Sequence, residues 1–143
     1  MVAYSFKKRF GPPILAGTKA QTIRADRKRH ARPGEQLQLF TGMRTKHCRR
    51  LGETVCIAVQ PVRLVFAERG IPEAFQVDHV PIGPMAMVAF AQADGFVDLD
   101  DMRRFWWSEH PPEDGDTLVF EGFLIRWQPL VPTDAFDIAA RAA

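Results

Sequence analysis

The stretch Thr54–Phe66, TVCIAVQPVRLVF, constrains this chain more than any other. It is rich in Val, Ile and Leu, and branched side chains suit the pleated, half-buried surface of a sheet. The run predicts one long strand. Pro61 within it has no N–H to give to a ladder, so it marks an edge or a bulge.

Shorter strands are expected around it. Val2–Phe6 and Ala20–Arg24 are β-prone, and Gln36–Thr41 alternates polar and apolar after a Pro33-Gly34-Glu35 turn. Thr117–Trp127 reads as a final strand, with Gly122 a bulge or a point of close approach. Ala67–Ile82 contains a hairpin turning near Arg69-Gly70. Three short helices complete the reading. Phe10–Gly17 has prolines early and glycine last, the usual punctuation of a helix. Pro84–Ala93 puts Met85, Val88 and Ala89 on one face, and Asp94-Gly95-Phe96 breaks it. Asp98 caps a helix to His110 whose stripe is Met102, Phe105 and Trp106. Five to six strands with short flanking helices predict an α+β fold, a small mixed β-barrel, rather than a parallel βαβ sheet.

A chain of 143 residues, 46% hydrophobic and 25% charged, suits one domain with one core. No apolar run reaches the length of a membrane span, and the N-terminus lacks a signal-like apolar stretch. Two cysteines, Cys48 and Cys56, form no CxxC, and four scattered histidines have no zinc spacing. The expectation is a cytoplasmic monomer without metal, cofactor or membrane partner.

Charge is distributed unevenly. Residues 1–50 hold 13 Lys and Arg against 2 Asp and Glu, a net of +11; the rest of the chain is −9. Two readings follow: a basic face that attracts a polyanion, or two halves that interleave and neutralise each other. Arg24, Arg27, Lys28 and Arg29, then Arg44, Lys46, Arg49 and Arg50, lie in two basic stretches. Beside a cleft they can contact phosphates; alone, such loops are solvated. Phe105, Trp106 and Trp107 cannot all face inward on a helix. A tryptophan at the surface can stack a base or cap the core edge.

The densest polar functionality is Gly17-Thr18-Lys19-Ala20-Gln21-Thr22-Ile23-Arg24. Thr22 and Arg24 share a face on a strand, and Lys19 leans over it from the turn. A lysine beside an arginine in a dry cleft has its pKa lowered and can act as a base toward a hydroxyl. Spacing alone equally allows an exposed edge strand with ordinary surface charges.

The pattern Gly17-x-Lys19-x-x-Thr22-x-Arg24 resembles the GxKxxxxR signature of ASCH domains, members of the PUA-like superfamily. Pro33-Gly34-Glu35, Asp94-Gly95-Phe96 and Phe120-Glu121-Gly122 resemble later elements of that family, in the same order. The resemblance covers about residues 4–127. It implies a PUA-like barrel over residues 1–128, a tail over 129–143, and a cleft for a modified nucleoside or single-stranded RNA. Some small ASCH proteins are amidohydrolases that remove the acetyl group from N4-acetylcytidine, through a lysine, a threonine three residues later and a glutamate. Lys19 and Thr22 match the first two. The third falls on Asp94, one methylene shorter, and this chain carries extra sequence around residues 67–84. The resemblance thus implies Lys19 as base, Thr22 as nucleophile, Asp94 as proton carrier and Arg24 as a stabiliser of carbonyl charge. A non-catalytic RNA-binding module and a ribonuclease are the other functions the family offers.

Overall fold

The computed structural model describes residues 1–67, 73–112, 115 and 117–131. Among these residues, seven strands form one mixed sheet: β1 (Val2–Phe6), β2 (Gln21–Arg24), β3 (Gln36–Thr41), β4 (Arg49–Ala67), β5 (Ala74–Val77), β6 (Val80–Pro81) and β7 (Thr117–Trp127). Three helices among the described residues accompany it: α1 (Gly11–Ala16), preceded by a 3-10 turn at Lys8–Phe10, α2 (Pro84–Ala93) and α3 (Leu99–Glu109). The mixed sheet with short helices agrees with the α+β reading, with one strand more than the five to six expected.

The long strand is the spine. β4 runs for 19 residues and has three partners. Its first half pairs with β3, from Arg49 opposite Thr41 to Val55 opposite Gln36. Its second half pairs with β7 on one side and with β5 on the other. The change of neighbours falls at Ile57, the extra residue where the β7 register shifts between Cys56 and Ala58. A bulge there bends the strand and increases its twist. Pro61 lies between the β3-paired and β5-paired segments, where a missing N–H interrupts neither ladder. Beyond β4, β1 joins β3 in parallel and β2 joins β7 antiparallel. Among the described residues β1 and β2 form no ladder, so the sheet is open at that seam. Gly122 is a point of close approach, since a Cβ there would collide with the carbonyl of Arg24.

The apolar faces enclose one core. Tyr4, Leu37, Leu39, Leu64, Phe66, Ile125 and Trp127 of the sheet meet Ile14 of α1 and Met102 of α3. Asp98 caps α3 by accepting from the Asp101 N–H, and Met102 and Trp106 face inward as the periodicity implies. For α2 the expected face is wrong. Met87 and Ala91 are buried, whereas Met85 is 96% exposed and Val88 and Ala89 face outward. The sequence PMAMVAFAQA is apolar nearly all round, so periodicity selects no face. Phe90, packed on Phe75 at 5.6 Å, and the Asp94 corner set its roll instead. Leu130, beyond the last strand, packs against the core. The expected Arg69-Gly70 turn and the tail beyond Val131 lie outside the described residues. No described helix is long and apolar enough to cross a membrane.

The basic loop after β2 is anchored from below. The Tyr4 hydroxyl accepts from the Ala31 N–H and meets His30 Nδ1, both at 3.1 Å. His30 Nε2 lies 2.9 Å from the Ala25 carbonyl, so Nε2 carries the proton and Nδ1 accepts from Tyr4. Tyr4→Phe leaves the Ala31 N–H and His30 Nδ1 without their partner, and should cost about 1–3 kcal/mol. Urea unfolding measures this; an unchanged midpoint would show that the hydroxyl does not hold the loop.

Candidate functional site

Lys19 follows the cap of α1. Gly17 ends the helix in the left-handed conformation, and the Lys19 N–H then donates to the Pro13 carbonyl at 3.0 Å. This local fold turns the side chain inward, where it is 2% exposed. Its ammonium donates to the carbonyls of Gln21 at 2.8 Å and Asp94 at 2.5 Å, and lies 3.8 Å from Asp94 Oδ1. Phe10 and Phe6 present their rings to it at 4.8 and 5.5 Å. Asp94 is the C-cap of α2, and the Gln21 side-chain amide reaches its Oδ1 at 3.4 Å.

Gly95 makes room for this arrangement. Its φ is +100°, and a Cβ would stand 2.7 Å from Lys19 Cδ and 2.9 Å from Phe10 Cδ1. The Asp94-Gly95 corner therefore combines a helix stop with a slot for the lysine stem.

On β2, Thr22 and Arg24 share a face as their spacing requires. Arg24 Nε donates to Thr22 Oγ1 at 3.0 Å, and Arg24 Nη2 donates to the Ser5 carbonyl at 2.6 Å. The second bond crosses from β2 to β1, so a side chain bridges the seam where no strand ladder forms. The guanidinium also lies over Phe6 at 4.8 Å and Tyr4 at 5.5 Å.

Lys19, Thr22, Arg24 and Asp94 all line one cavity of about 1030 Å³. Its walls include Phe6, Phe10, Phe105, Trp106 and Phe120. Trp106 stacks between Phe66 and His110, so it closes the core edge as well as facing the cavity. Of the two basic stretches, Arg24 and Arg49 reach the lining, while Arg27, Lys28, Arg29, Arg44 and Arg50 do not. Arg27 lies over the Tyr4 ring, and Arg29 and Arg50 are paired with Glu35 and Glu53. Arg44 and Lys46 are exposed, and Lys28 is exposed on the loop after β2.

Sequence reasoning passed over Gln21, Ser5 and Lys8. The signal for Gln21 was its place between Lys19 and Thr22, since an amide there needs partners once buried. Ser5 contributes only a carbonyl, which any residue supplies. Among the described residues, no three His, Cys, Asp or Glu side chains stand close enough to hold a metal ion.

Burial dominates the electrostatics. It brings the Lys19 pKa down to about 8, against the opposing pull of Asp94, and Arg24 and Arg9 lower it further. Burial likewise raises the Asp94 pKa, with Lys19, Gln21 and Arg24 opposing. Arg24 is lowered by burial and then by Arg27. With a value near 8, roughly one Lys19 in ten is a neutral amine at pH 7.

The folded chain sheds the Lys19 proton near pH 8 and the unfolded chain near 10.5. Between these values the unfolded state binds more protons, so unfolding free energy contributed by this group rises with pH. Lys19→Met should abolish that rise, and should cost about 3–5 kcal/mol at neutral pH by leaving Asp94 buried alone. Denaturant titrations of both proteins across the window measure it; parallel pH curves would show that Lys19 is not desolvated. Compared with protein-family models, with curated proteins and with solved structures, the chain matches none.

Proposed function

We propose that this cavity holds a nucleobase and that the protein hydrolyses the acyl amide of an N4-acylated cytidine without a metal. On this reading the sheet is a PUA-like barrel whose last seam is bridged by Arg24, and the chain is an ASCH protein of the cytosol. The two free thiols, Cys48 and Cys56, suit a reducing compartment. The observation that carries the reading is the meeting of Lys19, Thr22, Arg24 and Asp94 at one cavity, with a lysine whose proton is loosely held.

The chemistry follows from donor counting. An ammonium has three N–H donors, and two of them are spent on the Gln21 and Asp94 carbonyls. A neutral amine keeps both bonds and gains one lone pair. It can then take the proton of the Thr22 hydroxyl as Oγ1 attacks the acyl carbon. Arg24 Nε already donates to Thr22 Oγ1, which holds the hydroxyl in place and favours its alkoxide character. The guanidinium also stabilises the negative charge that builds on the carbonyl oxygen. The C–N bond then breaks, and Lys19 returns its proton to the departing N4 amine. Water hydrolyses the threonyl ester, releasing the carboxylic acid and restoring the hydroxyl. Asp94 orients Lys19 throughout and can carry the proton of the attacking water.

A second reading is a site that binds RNA and does no chemistry. It is favoured by one observation: Thr22 Oγ1 is bonded to Arg24, and both bonds of the Lys19 ammonium go to backbone carbonyls rather than to Thr22.

Purified protein with N4-acetylcytidine separates the two. The amidase reading expects release of acetate, with a rate that rises with pH and reaches half its plateau near 8. Lys19→Ala or Thr22→Ala, each checked for folding by circular dichroism, should remove nearly all turnover, and the double variant should be little worse. Unchanged turnover in Lys19→Ala would end the assignment of Lys19 as base. Losses confined to affinity, of about 1–3 kcal/mol per contact, would identify a binding module.

A further inference from the structure

Resting on that reading of the deep end of the cavity, we propose that its mouth is a phosphate subsite. The ligand is then a phosphorylated nucleoside rather than a free one, with Lys8 and Arg49 as the phosphate clamp. The strand register brings these residues to one end of the sheet. Phe6, the last residue of β1, lies opposite Thr41, and Thr41 lies opposite Arg49. Lys8 comes two residues after Phe6. Arg49 and Lys8 thus flank the same short row of three strands, with spacings of about 5 Å between neighbours. Both line the cavity, as do Thr41 and His47.

Their electrostatic state points to an anion. Both side chains belong to exposed residues, and among the described residues neither has a carboxylate within ion-pair distance. Their neighbours differ: Lys7 is bound to Glu109, Arg9 to Asp101 and Arg50 to Glu53. The lining as a whole holds Lys7, Lys8, Lys19, Arg24 and Arg49 against two carboxylates, Asp94 and Glu109. A neutral nucleoside leaves that excess positive charge unmatched. A phosphate at the mouth matches it, and arginine and lysine are its usual partners. Size agrees, for about 1030 Å³ lies at the upper end of small-molecule sites and exceeds what a nucleobase fills. The division of labour is then spatial. Lys19, Thr22, Arg24 and Asp94 meet the base, the aromatic wall covers the sugar, and Lys8 and Arg49 hold the phosphate. The same phosphate chemistry is offered by a mononucleotide and by the backbone of a short strand.

Calorimetric titration tests this with four probes: cytidine, cytidine 5′-monophosphate, ribose 5-phosphate, and a short cytidine oligonucleotide lacking a 5′-phosphate. The monophosphate should bind at least about tenfold more tightly than cytidine. Lys8→Ala and Arg49→Ala should each erode that preference, and the double variant should erase it while leaving cytidine binding unchanged. Raising salt should weaken the monophosphate and not cytidine. If the oligonucleotide matches or exceeds the monophosphate, the phosphate comes from a strand; if it is weaker, from a mononucleotide. Ribose 5-phosphate separates the two layers of the argument. Its binding, lost in the double variant, sustains the subsite even if no cytidine compound is bound or turned over. Equal affinity for cytidine and its monophosphate, or a preference that survives the double variant, would overturn the proposal.

Discussion

A single buried ammonium organises the site end of this protein. Lys19 joins two backbone carbonyls that are far apart in sequence, Gln21 at the start of β2 and Asp94 at the end of α2. Carbonyls at those places lack regular ladder or helix partners, so the ammonium satisfies groups that burial would otherwise leave costly. The price is desolvation of the charge, visible as the lowered pKa. A fold seeking stability alone could replace the whole Lys19–Asp94 pair with apolar side chains, since such replacements of buried ion pairs are often neutral or stabilising. That the charge is retained, and that it faces a cavity, are the reasons for reading it as functional.

Arg24 performs a related task at the open seam. Its guanidinium spans β2 to β1 through the Ser5 carbonyl, with its flat face over Phe6 and Tyr4. Phe6 thereby sits between two cations, Arg24 and Lys19. The seam borders the cavity: Ser5 and Phe6 of β1 and Thr22 and Arg24 of β2 all line it.

Much of this was legible in the residues. Val2–Phe6, Gln36–Thr41 and Thr117–Trp127 were readable to the residue, because alternation and turn signals coincide at their ends. β4 begins five residues before the expected Thr54, since Arg49, Arg50 and Gly52 carry no strand propensity and are held by pairing with β3. The roll of α2 was hidden because nearly all its residues are apolar. The clustering of Lys19, Thr22 and Arg24 is local and could be seen. Its contact with Asp94, 75 residues away, follows from no spacing and came through resemblance to a family. Lys8 stayed invisible because two adjacent lysines after a strand look like any solvated surface.

The pairing order also dictates when the site can exist. Among the described residues β2 has one strand partner, and that partner is β7, the last of the seven strands. A chain emerging from its amino end therefore makes Lys19, Thr22 and Arg24 early but cannot seat them until residues 117–127 arrive. β1 and β3, with β4, can pair beforehand. Such late, non-local closure is slow, and it leaves the QTIR segment and its apolar neighbours unpaired in the meantime. The four arginines and one lysine among residues 24–32 suit that interval: a strongly charged flank discourages an unpaired strand from pairing with another molecule.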